Sequence, residues 1–376
     1  MPYYMPRPDV LAFKNEGTSQ EKVAAFVKAI RINPDARLDP FLQLLPNESV
    51  GNRTRLASSD VAVFSNLESY DEMTFVDVKS GDYVLPAAVI ITGNDEPDNG
   101  LDNGLFEDNH TDVGKIYGFG KQAFGDPNLE YGSQAPFHMG FFHEDPLLFK
   151  LAPYLHNTFP HYRVHVYKQL AEYAFATGHD YWGWRFMGWG AHYIGDISQP
   201  YHARMQPGVG TWGSIWMNAK YMVGLTQSQT DGIQLLSNRH MVIETVQNEL
   251  TKAAYINDDF DSPIFAALDE KFDDVEYSED TFIDFYARKS YDKADTLDES
   301  LTKWAPEKLV SDPSFELNNS PESLMMLKMI DEHTGQEGIA ELTHMIADLM
   351  TDHNVNIRSY IYSTLEAKDE AQANAN

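Results

Sequence analysis

The chain has 376 residues, 43% of them hydrophobic, which is enough to bury the core of one large domain or of two smaller ones. Its formal net charge of −29 argues against a surface that binds nucleic acid, because such binding needs basic residues that displace counterions. The sequence contains no cysteine, which excludes disulfides and thiolate metal ligands. Any bound metal must therefore be held by histidine, aspartate and glutamate.

No stretch of the sequence approaches the roughly twenty apolar residues that span a membrane. The first residues, MPYYMPRPDV, lack a charged segment followed by an apolar run, so no signal peptide is recognisable. The acidic composition and the lack of cysteine fit an exported protein. We expect a secreted or periplasmic protein whose signal peptide is not part of the given sequence.

The first 150 residues show one clear helical pattern. Residues 20–32 have apolar side chains at helical spacing and predict a helix. The apolar run at 84–92 fits either a buried helix or a strand. Residues 93–150 are rich in Gly, Asn, Asp and aromatic side chains, and we expect one long irregular segment there. A segment of this length in a compact protein is usually functional.

The rest of the chain has mostly helical patterns. Helices are predicted at 161–177, 180–198, 213–224 and 230–255. The C-terminal third alternates acidic loops with two amphipathic stretches, 321–332 and 336–367. No internal repeat or clear linker is visible. The sequence therefore predicts an all-α fold in which residues 1–376 form a single, mostly helical catalytic domain with long irregular loops.

The run HYIGDISQPYH, residues 192–202, is the densest group of metal-binding side chains in the sequence. On a helix, His192 and Asp196 share a face because residues four apart are one turn apart. Pro200 is expected to end this helix and to turn His202 back towards the same space. Imidazole and carboxylate groups clustered in this way are typical ligands of catalytic zinc.

The same i, i+4 spacing recurs downstream. His240 and Glu244 have it within a predicted helix. It also occurs at two pairs nearer the C-terminus: His333/Glu337 and His344/Asp348. Because an exposed helix face produces such pairs as readily as a metal site does, the spacing alone does not identify ligands.

The 192–202 run resembles the His-(Tyr/Phe)-x-Gly-Asp-x-x-(Gln/Thr)-Pro-x-His segment of the zinc-dependent phospholipase C family and its relatives, the fungal single-strand-specific nucleases. The resemblance implies that His192 and Asp196 bind one zinc site, that His202 binds another, and that Asp196 bridges two ions. The family's downstream His-x-x-x-(Glu/Asp) pair matches His240 and Glu244. The resemblance covers about residues 87–255, followed by a helical C-terminal extension at about 260–368.

The family also supplies an upstream aspartate and histidine to its first zinc site. Asp95 and His110 match that pair, and the resemblance implies that Asp95 is both a ligand and a catalytic proton acceptor, with Asp196 as the second catalytic residue. Rivals for these two positions are Asp98, Asp102 and Asp112 for the carboxylate and His138 for the imidazole. A plain acidic loop or a calcium site at 95–112 is a further alternative.

One feature departs from the family, in which an N-terminal tryptophan and a histidine shortly after it bind a third zinc. Here no histidine precedes His110, and the first tryptophan is Trp182. The expected substitute is the segment 136–145, which contains His138 and His143, with His344/Asp348 as the next choice. We therefore expect two or three zinc ions as cofactors.

The resemblance implies a phospholipase C that releases diacylglycerol and a phosphorylated headgroup, with phosphocholine favoured. Phospholipid would be the substrate and a membrane surface a transient partner, without nucleic acid or an obligate protein partner. Aromatic residues near the site could line a choline pocket through cation–π contacts: Tyr117, Phe119, Phe137, Phe141, Phe142 and Tyr201. The alternatives are a nuclease or nucleotidase of the same superfamily, disfavoured by Glu244 and Ser198, and a non-catalytic zinc-binding protein.

Replacing His192 with alanine is expected to remove both bound zinc and hydrolytic activity, because His192 is the first ligand of the motif. His333→Ala is the matched control and should change neither, since His333 lies outside the motif. Metal analysis and phosphocholine release measure the two quantities. A zinc-replete, fully active His192→Ala protein would contradict the assignment.

Overall fold

The structure is a computed structural model, and it is mostly helical, with 63% helix and 3% strand. This confirms the all-α class. The predicted helix at 213–224 lies, apart from residue 213, outside the described residues. No helix in the described part of the chain is long and apolar enough to cross a bilayer. The structure describes residues 6–65, 67, 73–210, 213, 227–271, 275–318 and 320–375.

The chain divides into two compact units. The first consists of Met1–Gly140, Asn157–Asp196 and Tyr360–Asn376. The second consists of Phe141–His156 and Ile197–Ser359. Whether residues 1–376 act as a single catalytic domain stays a prediction.

The helices, in chain order, are α1 (Ser19–Ile30), α2 (Pro86–Asp95), α3 (Gly114–Tyr117), α4 (Glu130–His138), α5 (Pro146–Leu151), α6 (Pro160–Ala176), α7 (Asp180–Ser198), α8 (Pro200–Ala203), α9 (Gln227–Ile256), α10 (Pro263–Asp269), α11 (Glu279–Thr281), α12 (Arg288–Trp304), α13 (Glu307–Val310) and α14 (Met326–Ala375). The apolar run at 84–92 is thus mostly helical rather than a strand. The prediction of one irregular segment at 93–150 is wrong, because α3, α4 and all but the last residue of α5 lie within it.

A small antiparallel sheet precedes α2 in the first unit. Its strands are β1 (Phe41–Leu44), β2 (Arg55–Leu56) and β3 (Thr74–Asp77), in the order β1-β3-β2. Leu42 is paired with Val76, and both side chains pack against Val89 of α2. The sheet therefore fixes α2 from one side by burying apolar surface.

Helices α2 and α7 touch through glycine. A Cβ atom at Gly188 would lie 2.5 Å from the carbonyl oxygen of Ile90 and 2.9 Å from Cα of Gly93. Arg185 on α7 reinforces the contact, since its Nε and Nη2 donate to the two carboxylate oxygens of Glu96 at 2.7 and 2.8 Å. The C-terminal end of α2 is therefore held against the middle of α7.

Buried aromatic rings place the end of α4. Phe137 packs against Phe106, Phe119 and Phe159, with ring centroids 4.9–5.3 Å apart. All four rings are buried. This cluster anchors the residue directly before His138, the last residue of α4.

The second unit has its own apolar core between α9, α12 and α14. Representative members are Val242, Leu297 and Leu342, none of which is exposed to solvent. Within α14, Gly335 has φ 69° and ψ −165°, a conformation that interrupts the helix and that glycine adopts readily. The interruption separates the two amphipathic stretches that the sequence predicts on either side of it.

The α2–α7 contact can be tested by adding one methyl group. Gly188→Ala should lower the free energy of unfolding by about 1–3 kcal/mol, because overpacking against fixed backbone outweighs the roughly 1 kcal/mol that alanine gains in a helix. Gly210→Ala is the control, since a Cβ there meets no atom within 4 Å. Urea denaturation measures both, and a Gly188→Ala protein as stable as the wild type would refute the contact.

Candidate metal centres

The first group of potential metal ligands lies in the first unit and joins Asp98, His138, His192 and Asp196. His192 and Asp196 lie one turn apart on α7, and His138 ends α4. His138 and His192 are buried, and the Asp196 side chain is only 11% exposed. The Asp98 side chain is 56% exposed. The group thus combines two buried imidazoles and a nearly buried carboxylate with one carboxylate that is open to solvent.

The donor atoms of this group converge. Nδ1 of His138 lies 3.0 Å from Nε2 of His192 and 3.0 Å from Oδ2 of Asp196. Nε2 of His192 lies 3.2 Å from the same Asp196 oxygen. Oδ1 of Asp98 lies 3.7 Å from the His138 nitrogen and 3.8 Å from the His192 nitrogen. Ligands of a tetrahedral zinc ion are about 3.3–3.4 Å apart, and these separations scatter around that value.

His192 is oriented by a carbonyl at the end of α2. Its Nδ1 lies 2.8 Å from the main-chain oxygen of Asn94, so that Nδ1–H donates and Nε2 is the nitrogen that faces the group. A metal-ligating histidine almost always donates its second ring N–H in this way. The close α2–α7 contact thus orients the His192 ring so that Nε2 is directed towards the other potential ligands.

The electrostatics of the first group favour a cation. Burial lowers the pKa of His192, but the negative charges of Asp196 and Asp98 outweigh burial and raise it to about 10. The charge that holds a proton on this imidazole also attracts a divalent ion. A metal ion that binds Nε2 would therefore displace that proton.

Asp95 lies at the edge of the first group rather than within it. It is the last residue of α2, and its Oδ2 accepts a hydrogen bond of 2.6 Å from Nε2 of Gln43 on β1. Burial raises the pKa of this carboxyl, the Gln43 hydrogen bond opposes the change, and the charge of Asp98 adds to it. Asp98, which the sequence offers only as a rival, lies within the first group of potential ligands.

The second group lies in the second unit and consists of His202, His240 and Glu244. Nε2 of His240 lies 2.8 Å from Nε2 of His202 and 2.8 Å from Oε1 of Glu244, and the His202 and Glu244 atoms are 3.5 Å apart. The Glu244 side chain is half exposed, whereas His202 is buried. These three converging side chains could hold a metal ion, with the Glu244 side open to solvent.

The local sequence explains how the second group is placed on its helices. Gln199 is extended before Pro200, so α7 ends at Ser198 and α8 begins with proline in its first turn. His202 lies on this short helix, and α9 carries the His240/Glu244 pair. Burial raises the pKa of Glu244, but the charges and hydrogen bonds of His240 and His202 hold it well below its ordinary value.

Two predicted ligands lie outside both groups. His110 is exposed and adopts a left-handed conformation with φ 60° after a short 3-10 turn, Glu107–Asn109. His138 lies within the first group. His143 lies in the second unit, where its Nε2 is 2.8 Å from the carbonyl oxygen of Ile283. The use of the segment 136–145 as a substitute for the third zinc site stays a prediction.

The other choice for a third ion also lies outside the two groups. His344 and Asp348 are exposed on α14, and Oδ2 of Asp348 lies 2.7 Å from Nζ of Lys293. The described residues contain two groups of at least three potential ligands.

The six aromatic residues expected to line a choline pocket are buried in the two cores. The guanidinium of Arg31 lies 4.4 Å from the ring centroid of Phe119, and that of Arg163 lies 4.6 Å from the centroid of Phe137. The faces of these two rings are therefore occupied by the protein's own cations. This placement contradicts a pocket formed by Phe119 and Phe137.

No protein-family model, curated protein or solved structure matches this chain. The residues and their geometry therefore carry the functional argument.

The choice of His138 over His110 gives a direct test. His138→Ala should remove the metal bound by the first group, because the ring supplies a buried donor atom at the centre of that group. His110→Ala should leave the metal content unchanged. Zinc per chain, measured after dialysis, distinguishes the two. Loss of zinc from His110→Ala, or its retention by His138→Ala, would show that the first group is assembled differently.

Proposed function

We propose that this chain is a zinc-dependent phosphodiesterase of the phospholipase C type, which releases diacylglycerol and a phosphorylated headgroup. The observation that carries the proposal is the first ligand group, in which the motif residues His192 and Asp196 converge with His138 and a solvent-exposed Asp98. Buried ligands hold an ion, and an exposed side lets a substrate oxygen or water reach it.

Zinc is the ion that the donor atoms favour. Both groups combine imidazole nitrogen with carboxylate oxygen, a mixture that suits zinc and other late transition metals better than magnesium or calcium. The Asn94 carbonyl and the Asp102 carboxylate lie against the outer nitrogens of His192 and His138, at 2.8 and 3.8 Å. A hydrogen bond such as the one from His192 to Asn94 orients a ligating imidazole.

The proposed reaction is hydrolysis of a phosphodiester by a water molecule that the bound zinc and Asp95 would activate. When bound, zinc would polarise the phosphate and lower the pKa of a water molecule so that hydroxide is available near neutral pH. Asp95 would accept the proton of the attacking water, since burial raises its pKa and makes it a better base. The water oxygen forms a bond to phosphorus, the bond from phosphorus to the glycerol oxygen breaks, and diacylglycerol leaves after taking a proton from solvent.

Charge favours a lipid over a nucleic acid. With a net charge of −29 the chain repels a polyanion, whereas the phosphocholine headgroup carries no net charge. The second histidine pair ends in Glu244, as in the phospholipases that the motif resembles. A single-strand-specific nuclease of the same superfamily is the alternative outcome of the test.

The decisive measurement compares phosphatidylcholine and single-stranded DNA in one zinc-counted preparation. We expect phosphocholine release that is lost on chelation, restored by Zn²⁺ and not restored by Mg²⁺, because imidazole donors bind magnesium poorly.

The other outcomes are equally informative. Nucleotide release in place of phosphocholine release would assign the chain to the nucleases and overturn the proposed substrate. Bound zinc without cleavage of either substrate would favour the non-catalytic zinc-binding protein.

A further inference from the structure

A buried carboxylate lies behind the first ligand group. Asp102 is fully buried, and its Oδ1 forms an ion pair with Nη2 of Arg163. Its Oδ2 accepts a hydrogen bond from the hydroxyl of Tyr193, the residue after His192. The same oxygen lies 3.8 Å from Nε2 of His138, the ring nitrogen that faces away from the group. Asp102 therefore contacts one ligand and the immediate neighbour of another.

Arg163 ties this arrangement to the main chain. Its Nη1 and Nη2 donate to the carbonyl oxygens of Ile30 and Arg31 at 3.0 and 2.8 Å. The guanidinium also lies over the ring of Phe137, the residue before His138. Because the arginine is fully buried, these bonds and the Asp102 ion pair compensate its desolvation and fix it in place.

An equivalent arrangement of an aspartate, an arginine and a tyrosine lies beside the second ligand group. Asp298 on α12 is 4% exposed, and its Oδ1 accepts a hydrogen bond of 2.8 Å from the hydroxyl of Tyr201. Nη1 of Arg239 donates to both Asp298 oxygens at 2.8 Å. Tyr201 precedes His202, and Arg239 precedes His240. The Tyr201 ring also stacks on the His240 ring at 23°, with centroids 5.9 Å apart.

We propose that Asp102 and Asp298 are positioning residues, each of which orients the histidines of one ligand group through a tyrosine next to a ligand. The two Asp–Arg–Tyr trios are Asp102, Arg163 and Tyr193 for the first group and Asp298, Arg239 and Tyr201 for the second. A helix has a rigid backbone, so a hydrogen bond that holds one residue also sets the rotation of the helix at the next. This inference rests on the metal binding in the proposed function, but not on the identity of the substrate.

The trios favour metal binding because they hold the ligand side chains in place before the ion binds. Converging imidazoles and carboxylates lose rotamer freedom when an ion binds, and a ligand set held in place beforehand avoids part of that loss. Removing an outer contact of a metal ligand typically weakens metal affinity by about 10- to 100-fold. The effect should be local, because each tyrosine directly adjoins a ligand of its own group in the chain.

The experiment measures Zn²⁺ affinity of each group in the full chain, by competition with a chelator of known affinity. His240→Ala provides a background in which only the first group binds, and His138→Ala one in which only the second does. Tyr193→Phe, which removes a hydroxyl but keeps the ring, should weaken the first group about 10-fold or more and leave the second unchanged. Tyr201→Phe should do the reverse.

Tyr181→Phe is the matched control. It removes a hydroxyl that bonds the Phe41 main chain, on the same helix as Tyr193 but away from the ligands. It should leave both affinities unchanged. Asp102→Asn and Asp298→Asn should repeat the group-selective pattern with a larger loss, and the tyrosine variants remain decisive if either asparagine variant fails to fold.

Each outcome has one meaning. An equal loss at both groups, an equal loss in Tyr181→Phe, or no loss in Tyr193→Phe and Tyr201→Phe would overturn the positioning role. Group-selective loss without phospholipid hydrolysis would support it while refuting the phospholipase assignment. A wild-type chain that binds Zn²⁺ at neither group would overturn both.

Discussion

The first ligand group depends on the hydrogen bond between Nδ1 of His192 and the carbonyl oxygen of Asn94. Carbonyl groups in the last turn of a helix have no partner within it, and Asn94 is the second-last residue of α2. The imidazole supplies the missing donor, which leaves its other nitrogen free for a ligand. This bond can form only because Gly93 and Gly188 let the two backbones touch.

The buried carboxylates near this hydrogen bond are paired with positively charged or imidazole side chains. Buried carboxylates are costly unless paired, and Glu96 and Asp102 are paired with the buried arginines Arg185 and Arg163. Asp196, which is almost buried, faces two imidazoles instead. The arginines offset the charge of Glu96 and Asp102, and a cation that binds nitrogen and oxygen together would offset the charge of Asp98 and Asp196.

The helical part of the fold was largely predictable. Long helices such as α6, α7 and α9 show the 3.6-residue period over several turns, and their predicted limits differ from the observed ones by only a few residues. The helices in the segment 93–150 were not predictable, because helices of four to nine residues complete too few turns to display a period. The sheet was missed for a similar reason, since its strands have two to four residues.

The sequence by itself determined which residues pair along a helix. His192 with Asp196 and His240 with Glu244 meet because a helix places residues four apart on one face, whatever the rest of the chain does. Sequence reasoning also named the imidazole of His138, as a rival to His110 and as part of the expected substitute for the third zinc site.

Only the tertiary structure decided which distant residues complete each group. His138 meets His192 across 54 positions, whereas His110, nearer to Asp95 in sequence, turns outward in a left-handed conformation. Asp102 and Asp298 carried no recognisable local pattern, since their partners lie between 59 and 97 positions away. Spacing in the sequence determines contacts within one helix, but packing between elements determines all the others.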